Sequence, residues 1–161
     1  RRNQPSSIIF KVLRTADGRQ YTSGVLSYFD NEPDHSARNA KVFVPITFVC
    51  EAADIPTLAL LDTGAEWSVI KWEIALQLQC DRLPSCGEVG YETRLGFFQG
   101  SLFRIPYRIL AQTGESLSGE GTFWASPGWD SLTILGYNGF LTSLRTGLDP
   151  SRSEFHFGPE N

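Results

Sequence analysis

The chain has 161 residues, of which 41% are hydrophobic, 20% are charged and 12% are aromatic. This composition is typical of one folded domain, and it excludes a disordered or collagen-like chain. The formal net charge of −4 argues against nucleic-acid binding, which needs clustered cations that displace counterions from phosphates. No apolar run approaches the length of a membrane span, so none is expected in this segment.

The sequence contains no methionine. It therefore cannot begin at its own start codon, and we expect it to be a trimmed or processed piece of a longer protein. The first residues are polar and show no secretory signal. These features favour a cytoplasmic location for this segment and leave open whether a targeting segment was removed.

Three cysteines, Cys50, Cys80 and Cys86, are an odd number and do not form a closed disulfide framework. Cys80 and Cys86 are near enough in sequence to pair, and reduced thiols fit the pattern at least as well. A zinc site is not expected, because His35 and His156 lie far from the thiols and no C-x-x-C pair occurs. We therefore expect neither a metal nor a cofactor.

In chain order, the first predicted element is an N-terminal β-hairpin. Residues 8–14 and 20–29 are rich in β-branched and aromatic side chains, and they flank a turn at 16–18. A polar, turn-rich linker follows. We therefore expect residues 1–40 to form a hairpin and linker that pack on or precede a domain over residues 41–161.

The rest of the chain predicts an all-β domain with one or two short helices. Ile70, Ile74 and Leu78 recur at helical spacing, and Asn138 is a suitable N-cap for a second short helix through Leu144. Residues 84–90 are expected to form a loop. Strands are predicted at 42–49, 57–61, 122–125, 131–135 and 154–157, together with a hairpin over 91–110 whose tip lies at 96–100.

A carboxylate follows the apolar strand at 57–61, in the tripeptide Asp62-Thr63-Gly64. Placing an ionised group there is costly unless it is hydrogen-bonded. Gly64 lets the backbone turn and bring its N–H close to the carboxylate, where a side chain would crowd the site. The simpler alternative is a turn at the end of a strand, which Asp-x-Gly often forms.

This tripeptide, within Leu60 to Ile70, resembles the active-site signature of the aspartic proteases. A second segment, Thr133-Ile134-Leu135-Gly136 with a predicted helix after it, resembles the apolar-apolar-Gly strand and helix of the retroviral-type branch. A glycine-bounded hairpin lies between the two segments, as in the retropepsin layout. The resemblance covers residues 41–144. The extra N-terminal hairpin and Tyr137 differ from the viral pattern and favour a cellular, bacterial member of the family over a retroelement protein.

The resemblance implies a closed retropepsin-like β-barrel, here with an extra N-terminal hairpin, and the activity of an aspartic endopeptidase. Asp62 is the implied catalytic residue. The chain holds no second Asp-Thr-Gly or Asp-Ser-Gly, so a pair of aspartates requires a homodimer with an Asp62 from each chain. Two such carboxylates share one proton and activate a water that attacks the peptide bond.

The resemblance also implies roles for residues near Asp62. Thr63, Gly64 and Ser68 would support the active-site loop. The hairpin would act as a flap over a peptide or protein substrate, and an apolar cleft would favour cleavage between hydrophobic residues. The implied substrate-binding residues are Ala65, Glu66, Trp67, Gly96, Phe97, Phe98 and Ile134.

One departure from the family pattern is Tyr137, which stands where retroviral enzymes usually carry an arginine. The ion pair of that arginine with the acidic residue after the motif is therefore absent, or a hydrogen bond from Tyr137 to Glu66 replaces it. The alternative function is a catalytically inactive dimerisation or peptide-binding module of the same fold. The intact Asp62, Thr63 and Gly64 favour the enzyme.

Overall fold

The structure is a computed structural model, and it describes residues 12–30 and 41–160. The described residues form one α-helix, α1 (Trp72–Gln77), and two 3₁₀ turns, Cys80–Arg82 and Leu141–Ser143. In the described part of the chain, no helix is long and apolar enough to cross a membrane. The strands are β1 (Gly24–Ser27), β2 (Phe43–Phe48), β3 (Ile55–Leu61), β4 (Ser68–Val69), β5 (Gly87–Thr93), β6 (Gly96–Ile109), β7 (Thr113–Gly114), β8 (Leu117–Ala125), β9 (Ile134–Leu135), β10 (Leu144–Asp149) and β11 (Glu154–Pro159).

Six strands close into a barrel in the order β2-β3-β9-β4-β8-β6, and a pairing of β2 with β6 completes the ring. Strand β5 extends the sheet beyond β6 as the outer arm of a hairpin. The barrel is filled by apolar side chains such as Val44, Phe48, Ile105 and Phe123, all buried. This closed barrel confirms the predicted all-β fold.

The ends of β3 and β9 position the residues of the motif. These strands run parallel, with Leu60 opposite Ile134 and Leu61 opposite Leu135. Parallel strands end at the same edge of a sheet. Asp62, which follows β3, and Gly136, which follows β9, therefore emerge side by side.

A second sheet, ordered β10-β11-β1-β7, lies beside the barrel. Its strand β11 sends Phe155 and Phe157 into the barrel core. Of the predicted N-terminal hairpin, the structure describes an antiparallel bridge between Arg14 and Gln20, while β1 pairs with β11 and β7. The first arm up to residue 11 and the linker over 31–40 lie outside the described residues, so the domain division after residue 40 stays a prediction.

The hairpin of β5 and β6 differs from the predicted one. It turns at residues 94–95 instead of 96–100, and β5 already begins at Gly87, inside the segment expected to be a loop. Gly100 lies within β6, where a Cβ atom would come within 2.5 Å of the Trp124 ring. Gly100 is therefore small because Trp124 packs over it, and it does not mark a turn.

The second helix is also different from the prediction. The segment expected to be helical from Asn138 through Leu144 contains only the 3₁₀ turn Leu141–Ser143. The backbone of Asn138 pairs with another segment, since its N–H donates to the Glu66 carbonyl at 2.8 Å. This backbone pairing keeps Asn138 itself out of a helix, and the residues after it form only turns.

The three cysteines are all free thiols, so the pairing of Cys80 with Cys86 is not formed. Cys86 is exposed, whereas Cys80 lies in the barrel core with 1% of its surface accessible. Burial raises the pKa of the Cys80 thiol from 9.0 to about 11, because desolvation penalises the thiolate, and the nearby Asp81 charge adds to this.

We expect a thiol reagent at mildly alkaline pH to label Cys86 in the folded protein and Cys80 only after unfolding, because the reagent needs an exposed thiolate. Since the pKa of Cys80 is higher in the folded state, the unfolded state loses its proton first. The contribution of Cys80 to stability is therefore complete below pH 9.0 and declines as the pH rises towards about 11. Urea unfolding measured from pH 8 to 11 should show a shallower decline for Cys80→Ala than for the matched Cys86→Ala variant. Equal labelling of both thiols in the native protein would contradict this assignment.

Candidate active site

Asp62, in the loop after β3, is held by three hydrogen bonds with backbone groups of this loop and of β9. The Asp62 N–H donates to the Leu135 carbonyl at 3.1 Å, and the Ala65 N–H donates to the Asp62 carbonyl at 3.2 Å. The Gly64 N–H donates to Oδ1 of Asp62 at 2.9 Å. The half-buried carboxylate is therefore oriented by its own loop.

Two chain segments cross directly behind this loop. Residues 65–68 and 136–138 pair through their backbones: the Tyr137 N–H donates to the Ala65 carbonyl at 2.9 Å, and the Ser68 N–H donates to the Asn138 carbonyl at 3.0 Å. The pairing joins the Asp-Thr-Gly loop to the end of β9. It brings the two sequence motifs together, although a long stretch of chain separates them.

Ser68 fastens this crossing with its side chain. Its hydroxyl accepts the Gly136 N–H at 3.0 Å and donates to the Asn138 carbonyl at 3.0 Å. Ser68 and Gly136 are both buried, so water cannot replace the hydroxyl as the partner of the Gly136 N–H. Ser68 therefore holds the two crossing segments together and makes no side-chain hydrogen bond to the Asp62 carboxylate.

Gly136 lies at the closest point of the crossing. A Cβ atom there would lie 2.3 Å from the Trp67 carbonyl oxygen and 2.9 Å from that of Ala65. No side chain fits between these backbone atoms. The glycine of the apolar-apolar-Gly segment is thus required by the approach of the two segments.

A cleft of about 890 Å³ opens beside Asp62, between the barrel wall and the hairpin. Its volume is in the range of sites that bind small molecules or several side chains. The residues that line it are Lys41, Val42, Leu60, Leu61, Asp62, Gly64, Ala65, Tyr91, Glu92, Thr93, Arg94, Leu95, Trp129, Ser131 and Ile134.

Four of the residues singled out in the sequence meet in this cleft: Asp62, Gly64, Ala65 and Ile134. Thr63 is exposed next to them on the loop. The cleft therefore combines residues of the Asp-Thr-Gly loop with one residue of the apolar-apolar-Gly strand.

The remaining predicted substrate contacts lie elsewhere in the described chain. Phe98 and Trp67 pack against a second apolar cluster, where Phe98 meets Trp129 edge-on with ring centroids 5.6 Å apart. Phe97 is 68% exposed, and Gly96 begins β6 after the turn. None of these residues lines the cleft of the single chain.

Glu66 also lies outside the cleft lining and is exposed. Within one chain, no side-chain hydrogen bond joins Tyr137 to Glu66 among the described residues. Tyr137 is instead linked to this loop by its backbone N–H, and its side chain is 58% exposed. Glu66 and Tyr137 are thus both exposed, and they belong to the two paired segments, residues 65–68 and 136–138.

The hairpin turn is the part of the cleft wall that the sequence did not predict. Thr93, Arg94 and Leu95 line the cleft, and the Thr93 hydroxyl accepts the Leu95 N–H at 3.0 Å and donates to the Gly96 carbonyl at 3.0 Å. A hydroxyl that bonds the backbone two residues on is a recognised turn signal. Thr93 could therefore have indicated the turn at residues 94–95, whereas Gly96 and Gly100 indicated a turn later in the chain.

The described side chains offer no metal site. Within residues 12–30 and 41–160, no group of three or more His, Cys, Asp or Glu side chains is placed to hold an ion.

No protein-family model and no curated protein sequence matches the chain. Among solved structures, the chain is similar to a retropepsin-like aspartic protease from Rickettsia conorii, with a TM-score of 0.51 and 14% sequence identity. The match covers 84% of this chain and 90% of the other. The fold is retropepsin-like. At this identity the likeness shows a shared fold alone, and that fold is the one predicted from the sequence.

We expect Ser68→Ala to lower the free energy of unfolding by about 1–3 kcal/mol, because it leaves the buried Gly136 N–H without an acceptor. Urea unfolding followed by tryptophan fluorescence measures this loss. Ser85→Ala is the matched control, since Ser85 is exposed. Equal stability of the two variants would show that the Ser68 hydroxyl does not hold the crossing.

Proposed function

We propose that the protein is an aspartic endopeptidase whose active site combines Asp62 from each of two identical chains. The observation that carries this proposal is the setting of Asp62. Its carboxylate lies at the edge of a peptide-sized cleft, at the end of a barrel strand, with Oδ1 fixed by the Gly64 N–H at 2.9 Å. A carboxylate that is oriented yet open to a cleft is suited to acid–base work on a bound molecule.

The need for two chains follows from the number of available carboxylates. The chain has one Asp-Thr-Gly. Glu92 also borders the cleft, but it alternates along β5 with Tyr91, whose side chain packs on the inner apolar cluster. Period-two alternation therefore directs the Glu92 side chain to the outer face of the hairpin. A second Asp62 from a two-fold partner is the simplest source of the missing carboxylate.

The proposed reaction uses the two carboxylates in different protonation states. Two carboxyl groups within hydrogen-bond distance share one proton, so one is ionised and one is neutral. The ionised group takes a proton from a water molecule, whose oxygen attacks the peptide carbonyl carbon. The neutral group donates its proton to the carbonyl oxygen. Collapse of the resulting diol, with proton transfer to the nitrogen, breaks the C–N bond and releases an amine and a carboxylic acid.

The remaining site residues support this chemistry by position. Gly64 orients the Asp62 carboxylate, and Ser68 fixes the loop from behind. Thr63 is exposed at the surface that a two-fold partner would cover. We assign Ala65 and Ile134 to the substrate-facing wall, since both line the cleft.

The hairpin turn would act as the cover of the site. Thr93 and Leu95 line the cleft from the side of the hairpin. A peptide held beneath them would lose contact with bulk water, which strengthens the electrostatic interactions at the reacting atoms. The apolar lining, which includes Val42, Leu60 and Leu61, favours hydrophobic residues beside the cleaved bond.

We predict that the wild-type protein cleaves peptides mainly between apolar residues and that Asp62→Asn lowers the rate by roughly 10³-fold or more, because the amide can neither take nor share the proton. The measurement is mass spectrometry of a diverse peptide mixture incubated from acid to neutral pH. Asp81→Asn is the matched control, because this exposed carboxylate lies outside the cleft. Equal cleavage by wild type and Asp62→Asn would contradict the proposal. Peptide binding without cleavage by either protein would favour an inactive peptide-binding module.

A further inference from the structure

The candidate cleft contains two cationic side chains, Lys41 and Arg94. We propose that they select peptides that carry an aspartate or glutamate near the apolar residues at the cleaved bond. This inference rests on the proposed endopeptidase function and names its substrate class. Three observations support it. They are the partners of the described lysine and arginine side chains, the register of β2 with β3, and the position of the hairpin turn.

Lys41 and Arg94 stand apart from the other described cations. Among residues 12–30 and 41–160, these two have no ion pair, side-chain hydrogen bond or aromatic ring as a partner. Every other described lysine and arginine has one: Arg14, Arg19, Lys71, Arg82, Arg104, Arg108, Arg145 and Arg152. The two cations without a partner both line the same cleft.

Strand register places Lys41 opposite Asp62. Strands β2 and β3 are antiparallel, with Phe43 opposite Leu60, and the Leu61 N–H donates to the Val42 carbonyl at 2.8 Å. Continuing this register by two residues sets Lys41 across from Asp62. Directly opposed residues carry their side chains on the same face, with Cβ atoms about 5 Å apart. The long Lys41 side chain can therefore reach a substrate group close to the reacting bond.

Arg94 approaches from the opposite wall. It occupies the turn between β5 and β6, next to Thr93, whose hydroxyl holds the turn through the Leu95 N–H and the Gly96 carbonyl. The cleft is thus bordered by a cation on the barrel side and a cation on the hairpin side. An extended peptide that passes between the walls would meet both, which favours carboxylate side chains and disfavours lysine and arginine.

The anions of the cleft do not satisfy these cations. Asp62 lies across from Lys41, yet no ion pair within 4.0 Å joins Asp62 to either cation. Glu92 also lines the cleft, and no ion pair within 4.0 Å joins it to Lys41 or Arg94. A substrate carboxylate is therefore the group that would complete the charge pairing.

The test compares peptides with one apolar core that carry glutamate, glutamine or lysine at one flanking position. At pH 6 we expect the best glutamate peptide to show about tenfold higher kcat/KM than its glutamine counterpart, as for a charge-assisted hydrogen bond. The double variant Lys41→Gln/Arg94→Gln should bring this ratio to about 1, whereas Arg82→Gln should leave it unchanged. The preference should also fade below about pH 4, as the substrate glutamate becomes protonated.

The outcomes separate this inference from the proposed function. Cleavage with a glutamate-to-glutamine ratio of about 1, or a ratio that survives in the double variant, would overturn the inference and leave the endopeptidase intact. If no peptide is cleaved, the Kd values of the same peptides for the wild-type protein decide the matter. Tighter binding of the glutamate peptide that the double variant loses would support the selection without the enzyme. Equal Kd values would overturn the selection as well.

Discussion

The structure around the candidate site depends on one buried hydroxyl group. Ser68 accepts the Gly136 N–H and donates to the Asn138 carbonyl, at 3.0 Å in each case. These bonds join the end of β9 to the segment that follows Asp62, at a crossing too close for any side chain at position 136. Because the barrel strands β3 and β9 end at the same edge, the crossing fixes the direction in which Asp62 leaves the barrel.

The same arrangement accounts for the chemical character of the cleft. The barrel is filled mainly by apolar side chains, so a carboxylate is best placed where a strand ends and the backbone can donate to it. Gly64 supplies that donor for Asp62, and the hairpin turn supplies the opposite wall. Lys41 and Arg94 add positive charge to the cleft that Asp62 borders. The orientation of Asp62, the wall opposite it and the positive charge of the cleft therefore come from the Asp62 loop, the hairpin turn and the segment at Lys41.

Much of the fold could be predicted because strand patterns and the Asp62 loop are local features of the sequence. Gly136 could be identified for the same reason, because it belongs to the local apolar-apolar-Gly segment. The position of the hairpin turn was predicted wrongly. A glycine often marks a turn, but Gly100 lies within a strand and makes room for Trp124. The helix predicted from Asn138 was wrong because that backbone pairs with a distant segment. The cleft lining joins Lys41 to the hairpin turn, and only the three-dimensional topology shows this.

The most direct test of the two-chain active site is the activity of mixtures of wild type and Asp62→Asn at constant total protein, after subunits have exchanged. If each site needs Asp62 from both chains, mixed dimers are inactive, and an equimolar mixture should retain about one quarter of the wild-type activity. Activity should then follow the square of the wild-type fraction. Retention of about one half, with a linear dependence on that fraction, would show that each chain acts independently, and retention of about three quarters would show that one Asp62 per dimer suffices. Either result would contradict the account.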